Sequence, residues 1–171
     1  MLSCTFFGHR DCPDTVKPVL QKVLIDLITK NGVKMFYVGH QGRFDALVHS
    51  TLQELKQQYP QINYAIVLAY MPGKAMSADG FTNTMLPEGI ETVHPRYAIS
   101  WRNNWMLKKS QFVVAYVTHN WGGASQYISK AEKQGKTILH LICSTTDSNK
   151  KKSKTELSPY TTGKITYRDN S

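Results

Sequence analysis

Leu2-Ser3-Cys4-Thr5-Phe6-Phe7-Gly8-His9-Arg10 is the stretch that decides how this chain is read. Residues 2–7 are continuously apolar apart from Ser3 and Thr5, the pattern of a strand buried on both faces. The run stops at a glycine and passes through Cys12-Pro13-Asp14 to apolar pairs at helical spacing, Val19/Leu20, Val23/Leu24 and Leu27/Ile28. A buried strand that ends at glycine and hands over to a helix opens a doubly wound α/β domain. Such domains bind ligands outside the carboxyl ends of their strands. There Gly8 lets the backbone approach a ligand, and His9 and Arg10 supply groups able to hold an anion.

The alternation continues along the chain. Asp14 is placed to cap the first helix, Pro18 falls in its first turn, and Asn31-Gly32 ends it. Further strands are expected at residues 34–38, 65–68, 112–117 and 137–142, and further helices at 44–58, 97–109 and 125–134. Residues 164–167 offer a short edge strand. Strands and helices that alternate without tandem antiparallel pairs predict a Rossmann-like, doubly wound α/β fold: a mainly parallel five-stranded sheet with helices on both faces. Residues 69–95 break the rhythm with Pro72-Gly73, Asp79-Gly80, Pro87-Glu88-Gly89 and Pro95. A loop of that length inside a compact domain reads as a mobile cover over the ligand edge. The ligand-binding domain is expected to span residues 1–143, followed by a basic, polar tail over 144–171 that includes Lys150-Lys151-Lys152 and Lys154.

Composition narrows the function classes. The chain has 171 residues, enough for one domain with a proper core, and carries 21 basic against 12 acidic residues, a net charge of +9. The tail holds six of the basic and three of the acidic residues, which leaves 15 against 9, or +6, on the body. A basic body favours anionic partners, nucleotides or nucleic acid. No apolar run is long enough to span a membrane, no signal-peptide pattern opens the chain, and Cys4, Cys12 and Cys143 show no metal spacing. A cytoplasmic protein without membrane partner, metal or cofactor is expected.

Three glycine-rich loops are expected at strand carboxyl ends: Gly8-His9-Arg10, Gly39-His40-Gln41-Gly42-Arg43, and Trp121-Gly122-Gly123. Each leads towards a helix N-terminus, where unpaired N–H groups and the helix dipole attract anions. None is a Walker A or a GxGxxG motif, which excludes P-loop and ordinary dinucleotide binding. The candidate ligand-binding residues are Gly8, His9, Arg10, Gly39, His40, Gly42, Arg43, Phe44, Asp45, His119, Trp121, Gly122, Gly123 and Ala124. Each has a plainer alternative. Arg10 would pair with Asp14 or Asp45, His9 with a backbone carbonyl, His40 would fill a turn, Arg43 would be solvated, and Asp45 would cap a helix. Trp101 and Trp105, at i and i+4, form one apolar stripe for the core or for a homo-oligomer interface.

The segments FFGHR, YVGHQGRFDALVHSTLQEL, RNNWMLKKSQFVVAYV and NWGGASQYISKAEKQGKTI together resemble the YpsA-like branch of the SLOG superfamily, over residues 2–142. That superfamily is Rossmann-like and includes the Lonely Guy phosphoribohydrolases, sensor domains for nucleotide-derived signals and, more distantly, the DprA DNA-processing proteins. The resemblance places Gly8 and Arg10 in the first ligand-facing turn, Gly39, Gly42 and Asp45 in the second glycine motif, and Gly122 and Gly123 before the fourth helix. Arg102 and Asn103 fit a helix face turned to solvent almost as well as they fit a recurring family position. Lonely Guy enzymes continue that last motif as PGGxGTxxE and use its glutamate in catalysis. Here the position falls on Ser129, and the Gly-Thr falls on Ser125-Gln126, so the enzyme signature is broken and no catalytic residue is assigned. Three functions stay open. The first is binding of a nucleotide-derived small molecule, ADP-ribose-like or a cyclic nucleotide, for sensing or sequestration, with Phe44, Tyr70 or Trp121 covering the base. The second is cleavage of an N-glycosidic bond with Asp45 or Glu88 as the carboxylate. The third is DprA-like binding of single-stranded nucleic acid.

Overall fold

A computed structural model describes residues 1–71 and 83–142 in full and the backbone of residues 164–168. Residues 72–82 of the expected cover, and most of the tail with its lysine run, lie outside the described residues. Strand β1 (Ser3–Gly8) is buried along its length. Its adjacent phenylalanines part to opposite faces, as the two-residue period of a strand requires. Phe6 joins the core beneath helices α1 (Lys17–Thr29) and α2 (Arg43–Gln58), whereas Phe7 joins the core beneath α3 (Ala98–Lys109) and α4 (Gly123–Lys133). The two polar residues in the run are satisfied: Ser3 Oγ donates to the Lys109 carbonyl at 2.7 Å, and Thr5 Oγ1 to the Tyr37 carbonyl at 3.1 Å.

Beside β1 stand β2 (Met35–Val38) and β3 (Asn63–Val67) on one side, and β5 (Phe112–Tyr116) and β6 (Thr137–Ile142) on the other, all parallel. The doubly wound arrangement is as expected, but the sheet has seven strands rather than five. Strand β4 (Thr84–Met85) extends the β3 edge and β7 (Lys164–Arg168) the β6 edge, giving the order β4-β3-β2-β1-β5-β6-β7. Two residues are too few to show a strand period, which is why β4 is silent in the sequence. Residues 83–95 are accordingly not part of a free cover. They comprise β4, whose neighbours bond Ile66 N–H to the Asn83 carbonyl at 2.7 Å and Leu68 N–H to the Met85 carbonyl at 2.8 Å, and two short 3-10 turns before α3.

The chain runs outward from β1 to β4 with α1 and α2 on one face, then crosses back by α3 to β5 on the other face. The order therefore reverses between β1 and β5, and this switch point leaves a crevice at the carboxyl edge. Its floor is set by an unusually close contact: a Cβ on Gly8 would run into the Phe44 ring. Phe44 is fully buried and stacks on Tyr116. Asp14 does not cap α1; it opens a 3-10 turn and makes no cap bond.

Gly8→Ala is expected to lower stability by about 1–3 kcal/mol through overpacking, read by urea denaturation. Adding Phe44→Leu should return part of the loss. A Gly8→Ala protein as stable as the parent would show that the ring yields freely.

Candidate ligand-binding cleft

Two turns at the switch point are built on the same backbone geometry. Gly42 (φ 95°, ψ 174°) precedes α2 and Gly122 (φ 96°, ψ 176°) precedes α4. This region of φ/ψ space is open essentially to glycine alone. It lets the chain leave a strand and enter a helix with the first N–H groups turned outward. The β2 turn also braces the β1 turn: the Arg43 N–H donates to the Arg10 carbonyl at 3.0 Å, and a Cβ on Gly42 would press on Arg10 Cα at 3.0 Å.

Between the turns lies a cleft of about 490 Å³. Ten of the sequence-derived candidates line it: Gly8, His9, Arg10, Gly39, Asp45, His119, Trp121, Gly122, Gly123 and Ala124. The other four stand beside it. His40 and Gly42 border a smaller hollow of about 230 Å³ with His49. Arg43 forms an exposed ion pair with Asp14 at 3.0 Å, and Phe44 lies under Gly8 in the core. Since Arg43 takes Asp14, the Arg10 guanidinium has no ion pair among the described residues and stays exposed at the cleft wall.

For Arg102 the solvent-facing alternative fails. Its helix face is not turned to solvent: Arg102 is only 3% exposed. Nη1 donates to the Val67 carbonyl at 3.1 Å, and Nε has no hydrogen-bond partner among the described residues. Asn103, Gln41 and Tyr127 line the same cleft. Trp101 and Trp105 do not form one stripe. Trp105 packs edge-on against Tyr37 at 5.2 Å, whereas Trp101 is 43% exposed with its Nε1 donating to the Glu88 carbonyl at 3.4 Å. Ser129 is exposed on α4 and is not among the lining residues, and Glu88 borders a separate groove.

Asp45 occupies the centre. Its Oδ2 accepts the Gln41 N–H at 2.8 Å and packs so closely on Gly39 that a Cβ there would collide with it. Burial raises its pKa to about 6, against the opposing pull of the Gln41 N–H and of the Arg102 and Arg10 charges. Beside Arg10 and the α4 N-terminus, three rings stack. His9 lies 3.6 Å from His119, and His119 lies 3.8 Å from Trp121, centroid to centroid. His9 Nδ1 accepts the Thr118 N–H at 3.2 Å, so the neutral ring carries its proton on Nε2, which has no partner among the described residues. Burial, and then the neighbouring His119, lower the His9 pKa, which keeps the imidazole neutral further into acid than a free histidine. Among the described residues no group of three His, Cys, Asp or Glu could hold a metal ion, and no helix is long and apolar enough to cross a membrane.

No family model matches the chain, and no curated protein matches it. Among solved structures it is similar to the DNA processing protein A (DprA) of Streptococcus pneumoniae, with a TM-score of 0.59 at 14% identity. The fold is DprA-like. The match covers 82% of this chain and 50% of the DprA chain, so this chain spans about half the length of DprA. At that identity the likeness to DprA concerns the fold alone.

The raised Asp45 pKa makes a signed prediction. Between the ordinary aspartate value, about 3.9, and about 6, the folded protein holds a proton that the unfolded chain releases. Ionised Asp45 therefore costs stability in full above pH 6, and the cost fades as pH falls towards 4. Asp45→Asn should melt above the parent at pH 8 and level with it at pH 4, by thermal denaturation. Equal melting temperatures at both would contradict the assignment.

Proposed function

We propose that the cleft binds a nucleotide-derived anion, ADP-ribose-like or a cyclic nucleotide, and that the chain belongs to the YpsA-like branch within its DprA-like fold group. The observation that carries this reading is the meeting of Arg10, Arg102 and the N-terminus of α4 at the switch point. Arg102 stands in the cleft wall, its guanidinium held by the Val67 carbonyl. Arg10 faces the same space with no ion pair among the described residues. The N–H groups of Gly123 and Ala124 lie at a helix start, where phosphate is favoured. Asp45 sits against the arginines and accepts from ribose hydroxyls in its ionised form. The reading fits sensing or sequestration in the cytoplasm, with or without self-association.

Arg10→Ala should weaken an anionic ligand such as ADP-ribose by about 1.5–3 kcal/mol through loss of a charge-assisted bond, measured by calorimetry. Unchanged affinity would remove Arg10 from the site.

A second reading, binding of single-stranded nucleic acid, is favoured by the net charge of +9 and by the likeness to a DNA-processing protein. The two separate on salt. Each phosphate neutralised on a strand adds about 0.7 to the slope of log affinity against log salt. A steep slope with an oligonucleotide, joined to no binding of mononucleotides, would favour the strand.

N-glycosidic cleavage is not proposed. With Ser129 outside the cleft, the motif glutamate of the Lonely Guy enzymes has no counterpart at its own position, and Asp45 is left as the candidate carboxylate. Incubation with AMP, NAD and ADP-ribose is expected to release no free base by chromatography. Release abolished by Asp45→Asn would restore the enzyme.

A further inference from the structure

Trp121 is 69% exposed, an unusual position for the largest apolar side chain, yet it is not loosely held. One face of its indole lies on His119, with the planes 16° apart, and His119 lies in turn on the buried ring of His9, with the planes 12° apart. The backbone beneath is tied as well: His119 Nδ1 contacts the Trp121 carbonyl at 2.9 Å, and Ser125 Oγ donates to the His119 carbonyl at 2.8 Å. The column thus runs from the core to the cleft mouth and ends on an exposed ring whose ordering is already complete before any ligand arrives.

We propose that this column is a stacking platform for a purine, with the base lying on Trp121 as a fourth ring and the phosphate reaching the Gly122-Gly123-Ala124 turn and Arg10. The assignment rests on the cleft reading above and specifies its ligand. Of the three aromatic candidates in the sequence, Phe44 is buried under Gly8, and Tyr70 donates to the Pro95 carbonyl at 3.2 Å and borders the groove of Leu86 and Pro87. Trp121 alone of the three lines the cleft. Base–aromatic stacking grows with ring overlap and tolerates any base with a π-face. A bicyclic indole therefore favours a bicyclic purine over a pyrimidine. Because the two imidazoles hold the indole in place, little side-chain entropy is lost on binding.

The test is calorimetry with AMP, UMP and ribose 5-phosphate on the full chain and on the Trp121→Leu and Trp121→Phe variants. The expected order in the parent is AMP, then UMP, then ribose 5-phosphate. Trp121→Leu should weaken AMP by roughly five- to a hundred-fold and leave ribose 5-phosphate unchanged. Trp121→Phe should keep most of the AMP affinity. Equal affinity of the parent for all three, or equal loss of AMP and ribose 5-phosphate in Trp121→Leu, would overturn the platform while leaving the anion site standing. Failure of all three to bind the parent would remove the anion site and the platform together.

Discussion

The contact of Phe44 with Gly8 sets the distance on which the rest of the site depends. A side chain at position 8 would collide with the Phe44 ring, so that the ring or α2 must shift. A shift of α2 would bear on the bond from the Arg43 N–H to the Arg10 carbonyl, the brace that Gly42 and Arg43 supply. Asp45 sits one residue after Phe44 on the same helix, so its approach to Gly39 is fixed by the same contact. Two glycines, at 8 and 39, thus serve packing against α2 as much as access for a ligand. Close packing of this kind transmits displacement, because interiors have few voids to absorb it.

The site brings opposite charges together. Two arginines and a helix N-terminus share the cleft with the carboxylates of Asp11 and Asp45, and burial raises the Asp45 pKa to about 6. They meet where the strand order reverses, the place at which backbone turns from two sides of a sheet come together. Beside Arg10 and the α4 N-terminus, the neutral His9 and the ring column give the cleft a flat, uncharged surface. A ligand with one charged and one aromatic end matches both.

Much of this was legible in the sequence, for identifiable reasons. Continuous apolar runs located the central strands and helical spacing the long helices, because burial on both faces makes a strand apolar throughout and burial on one face gives a helix its period. Glycines at strand ends located the three turns: at Gly42 and Gly122 a backbone at φ near 95° excludes other residues, and at Gly8 the Phe44 ring does. Arg102 was not legible. Arginine on a helix is usually solvated, and its burial here comes from the carbonyl at the end of β3, 35 residues away in the chain. The stacking of His9 on His119 was likewise hidden, since 109 to 110 residues separate the two loops it joins. The pairing of Arg43 with Asp14 is of the same kind: two loops chose partners that no local pattern ranks.

Strand β4, only two residues long, bears on how the molecule behaves in a crowd. Strand β3 is buried at its carboxyl end, and without a neighbour it would present the amides of Ile66 and Leu68 to solvent. The carbonyls of Asn83 and Met85 take those amides. The strand that borders β3 is only two residues long, and short edge strands are one of the ways natural sheets avoid intermolecular pairing. The segment before α3 thus shortens this side of the sheet, a consequence independent of any ligand.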